Sequence, residues 1–157
     1  MWFSVDSGVA APAQYRARNF VWCYDRWSCG DPTSPTLGAM DETVSTHYGE
    51  NIGWEFSTGI VYNESRGVIF HQIELIGLPG RNPFGSDPTV WTSYSLDGET
   101  WSQERTVKAG KQGQRNKRLV WLGQGHMEAW RIQRFRGNSD AHLAFARLEA
   151  TLEPLNA

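Results

Sequence analysis

The stretch "SYSLDGETWSQ", Ser93 to Gln103, constrains the fold more than any other part of this chain. Two runs that alternate between polar and aromatic residues flank Asp97-Gly98. A tight hairpin turn with both central residues at positive φ favours that dipeptide, because Gly has no Cβ and Asp tolerates the left-handed region. A type I′ turn here would pair Leu96 with Glu99, Ser95 with Thr100 and Tyr94 with Trp101. Tyr94 and Trp101 would then stack across the strands, contributing about 0.2–1 kcal/mol. The residues Tyr94, Asp97, Gly98 and Trp101 are therefore expected to have a structural role.

The rest of the 157-residue chain fits the same fold class. Eight Trp, seven Phe and five Tyr supply large buriable surfaces, and sixteen Gly with seven Pro supply turns. Aromatics interleaved with turn formers indicate an all-β chain. Up to about residue 50, short strands ("NFVWCYD", "RWSCGD" and "TLGAMD") alternate with turn clusters. That is the rhythm of a propeller blade, and one blade leaves its faces without neighbours. Residues 1–50 are thus expected to be an incomplete propeller-like meander.

From residue 51 to 157 the strands lengthen, as in an antiparallel β-sandwich. "IGWEFSTGIVY" and "VIFHQIELIG" lead to a proline-bearing loop, "LPGRNPFGSDPT", and then to "VWTSYSL" and "ETWSQERTV". "KRLVWLG", "EAWRIQRFR" and "LAFARLEATL" follow, the last also compatible with a helix. In "VIFHQIELIG", strict alternation places Ile69, His71, Ile73 and Leu75 on one face, which makes His71 a hydrogen-bonded core residue. In "EAWRIQRFR", Trp130 and Ile132 fall out of phase with Phe135, and a bulge near Gln133-Arg134 would restore the phase.

Chemistry-bearing constellations are scarce. His47, His71, His126 and His142 are scattered without metal-ligand spacing, and two cysteines without a second pair are too few for a zinc site. If "VWCYDRWSC" turns at Asp25-Arg26, Cys23 faces Ser28 and cannot reach Cys29. A three-residue loop would bring the two thiols opposite each other; free thiols are the expected state. No nucleophile elbow, phosphate-binding loop or dinucleotide fingerprint occurs. No catalytic, metal or cofactor-binding residue is therefore assigned, and an enzyme is not expected.

The net charge of −2 argues against polyanion binding over the whole surface. No apolar run reaches membrane-spanning length, and "MWFSVDSG" lacks the pattern of a signal peptide. One basic cluster stands out: Arg105, Lys108, Lys111, Arg115, Lys117 and Arg118. It is either a solvated loop or a patch for an acidic protein or for DNA phosphates. Arg131, Arg134 and Arg136 would extend it if their strand were a neighbour.

Short likenesses pull in other directions. "SLDGETW" resembles the Asp-box of sialidase-type propellers with one residue missing, and Ser4 to Gly8 carries the first half of that pattern. "YSLDGETW" also resembles a strand-turn-strand of discoidin-like carbohydrate-binding sandwiches. That likeness makes a lectin-like module the alternative function.

A longer resemblance covers the chain from about Trp2 to Leu155. "GD" followed by "LGAMD", then "THYGE", "SYSLDGETWS", "KAGKQGQRNKRLVWLGQG" and the closing "RFRG" resemble, in order and spacing, the C-terminal part of packaged-DNA stabilisation proteins. These are tail hub proteins of short-tailed bacteriophages. The resemblance implies a virion structural role in the phage tail, assembled in the host bacterial cytoplasm. It implies a six-fold ring beneath the portal and its adaptor, closing the channel on the packaged genome. It also implies docking surface for the tailspike and tail needle, and a chain holding the last propeller strands followed by a sandwich.

Overall fold

The strand Val68–Gly77 organises the larger part of the molecule, because it is long, β-branched and paired along both edges. In the computed structural model, which describes residues 7–8, 13–64 and 66–155, every regular element among the described residues is a strand. The chain divides into two compact units, Met1–Gly53 and Trp54–Ala157. The Ser4 to Asp6 part of the half Asp-box, like the other residues up to Asp6, lies outside the described residues.

The first unit holds β1 (Arg18–Cys23), β2 (Arg26–Gly30) and β3 (Leu37–Ala39), an antiparallel meander in the order β1-β2-β3. A short pair follows, β4 (Thr46–His47) with β5 (Glu50–Asn51). The β1–β2 turn sits one residue earlier than the sequence suggested. Cys23 pairs with Arg26, and the loop is Tyr24-Asp25, both at positive φ (52° and 57°). The aromatic pair decides the register: Trp22 lies opposite Trp27, edge-on with ring centroids 5.5 Å apart. Asp31 and Asp41 each begin a turn by accepting bonds from the backbone N–H and hydroxyl two residues on, Thr33 and Thr43.

The second unit is a sandwich of two antiparallel sheets. One contains β6 (Gly53–Ser57), β9 (Thr89–Ser95), β10 (Arg105–Lys108) and β13 (Trp130–Asn138), in the order β10-β9-β13-β6, with β7 (Val61–Tyr62) also on β13. The single strand expected over 52–62 is thus two, broken at Thr58-Gly59-Ile60. In the other sheet β8 (Val68–Gly77) pairs along its length with β14 (Phe145–Pro154), which is a strand and not a helix. Its second edge takes β11 (Leu119–Leu122) and β12 (His126–Met127) end to end.

Side chains from both sheets meet in one core: Val68, Phe70, Ile73 and Leu75 of β8 with Val90, Leu119, Trp121, Met127 and Phe135. Trp121 meets Phe135 at 5.6 Å, and Phe56 stacks on Phe135 at 5.4 Å. Two expectations about strand phase fail here. In β8 the register against β14 steps from Thr151–Gln72 to Leu152–Phe70, which leaves His71 unpaired as a bulge. The extra residue lets Phe70 and Ile73 both point inward, and turns His71 out to an exposed pair with Glu153, Nε2 to Oε2 2.7 Å. In β13 there is no bulge. It pairs residue for residue with β9 from Ile132–Ser95 to Gly137–Val90, and its buried side is Arg131, Gln133, Phe135 and Gly137. The pattern misled because two of the inward positions are polar.

Candidate partner-binding surface

The Asp97 stretch forms a wider loop than a two-residue hairpin. Arg105 lies opposite Thr92, where a type I′ turn at Asp97-Gly98 would have placed it opposite Val90. Only Gly98 of the two central residues has positive φ (82°). The loop closes instead around the Asp97 carboxylate, which accepts from the backbone N–H of Glu99 (2.9 Å) and Thr100 (2.8 Å) and from the hydroxyls of Ser95 (2.9 Å) and Thr100. Ser95 Oγ in turn accepts from Gly98 N–H at 2.8 Å. These donors, the Thr100 hydroxyl foremost, hold the Asp97 carboxyl well below the usual carboxylate range.

Tyr94 and Trp101 do not stack on each other, because they serve opposite faces of the sheet. Tyr94 lies opposite Gln133, on the inward side, and the Arg131 guanidinium sits 3.9 Å from its ring centroid. Trp101 covers the outward side, where Arg134 lies 4.0 Å from its ring. Arg131 and Arg134 are an odd number of positions apart on a regular strand, which sends them to opposite faces.

Arg131 is fully buried, and its other face carries the Phe70 ring at 4.2 Å. Its guanidinium donates to Gln133 Oε1 through Nε (3.0 Å) and Nη2 (2.6 Å), and to the Gln124 carbonyl through Nη1 (2.6 Å). Gln133 Nε2 continues the chain to Thr92 Oγ1 at 2.6 Å. Burial pushes the Arg131 guanidinium down to about 10, so it remains charged at neutral pH. Sequence reasoning placed Arg131 in the basic patch and missed its burial. Tyr94 of the neighbouring strand, Phe70 of the facing sheet and two glutamines meet it only through the fold, and no local pattern announces them.

The six basic candidates separate into two groups. Arg105 donates to the carbonyls of Leu122 and Gly123, and Lys108 Nζ to Thr89 Oγ1 (2.8 Å) and the Asp87 carbonyl (3.3 Å). Arg118 grips Glu74 with two bonds, which lowers the Glu74 pKa. These three tie strands and loops together. Lys111, Arg115 and Lys117 are exposed and form no ion pair among the described residues. The β13 arginines do not extend the patch: Arg131 is buried, Arg136 is held by Glu104, and Arg134 lies on Trp101 and donates to Ser93 Oγ (3.2 Å).

The first unit has a polar cluster of its own. Arg16 donates twice to Asp31 (3.0 and 2.7 Å) and once to Glu50 (3.0 Å), and the Arg16 bond leads the lowering of the Asp31 pKa. His47 Nδ1 meets Ser7 Oγ at 3.1 Å, between the rings of Tyr15 and Tyr48. Its Nε2 is buried with no hydrogen-bond partner among the described residues, so no third group orients a serine–histidine pair. Cys23 and Cys29 are free thiols, bonded to Ser28 Oγ and the Tyr48 hydroxyl respectively.

Among the described residues, both units expose surface that a partner could use. The β1–β3 meander exposes Phe20, Val21, Trp22, Trp27 and Leu37. The sandwich exposes the loops that carry Phe84 and the free lysines. A shallow apolar recess lined by Gly77, Leu78, Leu143 and Phe145 is open to solvent and leaves no enclosed space for a small molecule.

Comparison with protein families gives two adjoining matches. The family described as "Bacteriophage P22 Gp10, beta-sandwich" matches residues 53–153, and "Bacteriophage P22 Gp10, beta-propeller" matches residues 1–45. No curated protein matches the chain.

Proposed function

The chain belongs to the bacteriophage P22 Gp10 family of DNA-stabilisation and tail hub proteins, and from that premise we propose that it acts as a non-enzymatic scaffold closing the portal channel on packaged DNA. In this reading residues 1–50 complete a propeller edge, and 51–157 form a sandwich that other tail proteins grip. The ring is six-fold, lies beneath portal and adaptor, carries tailspike and tail needle, and assembles in the host cytoplasm before becoming part of the virion.

The observation that carries the reading is the order of the two family matches, propeller then sandwich, along nearly the whole chain. The exposed apolar meander supports it. Trp22, Trp27 and Leu37 on one small sheet are an unusual load for a free surface, whereas aromatics of this kind anchor protein interfaces.

The test is addition of the purified protein to DNA-filled phage heads that carry portal and adaptor but lack a hub. Uptake with six-fold density below the adaptor, and slowed genome release, is the expected result. A protein that stays monomeric, does not sediment with the heads and leaves release unchanged would refute the reading.

A further inference from the structure

The two long loops of the sandwich, 78–88 and 109–118, are locked together. Gly113 N–H donates to the Gly80 carbonyl (3.0 Å), Ala109 N–H to the Pro88 carbonyl (2.7 Å), and the buried Asn82 amide to the Gly110 carbonyl. A Cβ on Gly80 would lie 2.9 Å from the Gln114 backbone, so the contact between loops is direct. Lys111 N–H is fixed in turn by Gln114 Oε1 at 2.8 Å.

This double loop presents Arg81, Lys111, Arg115 and Lys117 to solvent, and none of the four forms an ion pair among the described residues. Residues 109–118 contain no acidic residue at all, and in 78–88 Asp87 is the single carboxylate. Phe84, in the same 78–88 loop as Arg81, is 93% exposed. Because the chain as a whole is net negative, the cluster is a local reversal of charge.

We infer that this double loop is a DNA-binding surface, with Arg81, Lys111, Arg115 and Lys117 on successive phosphates and Phe84 as a stacking platform for an unpaired base. Phosphates need cations and amide donors on a shape that does not reorganise, and the locked loops with their exposed Gln112, Gln114 and Asn116 provide both. An exposed ring on a cation-bearing loop offers single-stranded nucleic acid both a stacking face and phosphate partners. A protein partner would call for a cluster of aromatic anchors at the centre of the patch, and Phe84 is the single aromatic in the two loops. The inference goes beyond the hub reading: a chain that binds DNA yet joins no ring, or the converse, separates the two.

The test is fluorescence anisotropy of the full 157-residue protein against a labelled duplex and a single strand, each of about 30 nucleotides per strand. Four phosphate contacts predict a slope of log K against log salt near −3.6 for duplex and near −2.8 for single strand, about 150-fold weaker duplex binding from 50 to 200 mM salt. Substituting all four cations by Gln should abolish the slope, with the fold checked by circular dichroism. Arg118→Gln, held by Glu74, should change binding less than about twofold. Phe84→Ala should weaken the single strand about fivefold or more and leave the duplex unchanged. Absence of binding at 50 mM salt, or equal binding by the four-Gln variant, overturns the inference. So does displacement of DNA by polyglutamate at matched charge with Phe84→Ala silent, which would assign the surface to an acidic protein.

Discussion

Arg131 lies flat over Tyr94, its guanidinium carbon 3.9 Å from the ring centroid, with Phe70 closing its other face at 4.2 Å. Among the described residues no carboxylate joins this buried cation. Its charge is held by two aromatic faces, the Gln133 side-chain oxygen and the Gln124 carbonyl. The arrangement joins the two sheets, since Tyr94 and Arg131 belong to one and Phe70 to the other.

Arg131→Ala should therefore destabilise the sandwich by about 3–5 kcal/mol. A desolvated cation–π contact contributes about 2 kcal/mol, and each acceptor left orphaned costs about 1–3 kcal/mol. Arg131→Lys should recover only part of this, because an ammonium cannot bond Gln133 and Gln124 as a planar fork. Urea unfolding of the full chain measures both. A loss below about 1 kcal/mol for the alanine variant would show that water takes over the orphaned groups.

The Asp97 loop should be acid-sensitive. Its carboxylate is held below the value of about 3.9 that it has in an unfolded chain. The stability it contributes is fully present above that unfolded value and is lost as pH falls through the lower folded one. Asp97→Asn should accordingly lower the thermal midpoint at pH 7, and the gap from wild type should begin to narrow below about pH 4 and shrink further as pH falls. A gap that stays constant down to pH 2 would mean that the carboxylate charge is not what holds the loop.

How far the sequence could be read depended on whether a position obeyed the rule that inward means apolar. Val68 to Gly77 was legible as a strand with Ile73 and Leu75 inward, but alternation put Ile69 and His71 inward where Val68 and Phe70 are, because the bulge at His71 exists only against Thr151 and Leu152 of β14. Arg131 and Gln133 defeated the pattern outright, since their burial depends on rings and carbonyls from other strands. Asp97-Gly98 was correctly seen as a turn and wrongly closed. Ser95 and Thr100 are the better bonding partners for a carboxylate, and they widen the loop. The basic cluster was legible as charge, while the division between bonded Arg105, Lys108 and Arg118 and free Lys111, Arg115 and Lys117 required the pairing of β9 with β10 and of β8 with β11.

Gly137 should tolerate no side chain. It is buried on β13, and a Cβ there would lie 2.5 Å from Trp54 Cζ2 and 2.9 Å from its Nε1. The indole is itself confined by Phe145 at 5.2 Å and Phe56 at 5.9 Å. Gly137→Ala should cost about 1–3 kcal/mol as an overpacked site. In a Trp54→Ala background the same substitution should cost little, a non-additivity that a double-mutant cycle reads directly. Simple additivity would place the strain somewhere other than the indole.

The two thiols should react at very different rates. Cys23 is half-buried beside Ser28, near the turn of the β1–β2 hairpin. Cys29 is 6% exposed and bonded to the Tyr48 hydroxyl at 3.4 Å. That phenol is pushed up to about 12, by burial first and then by the Cys29 bond, so it stays protonated and in place across the labelling range. Attack on Cys29 thus requires the sheet to open locally, whereas Cys23 is reached by a side-chain fluctuation. With a disulfide reagent at pH 8, one thiol per chain should react about 100-fold faster than the other, and Cys23→Ser should remove the fast phase alone. Equal rates, or a fast phase that survives in Cys23→Ser, would contradict the burial of Cys29 beneath Tyr48.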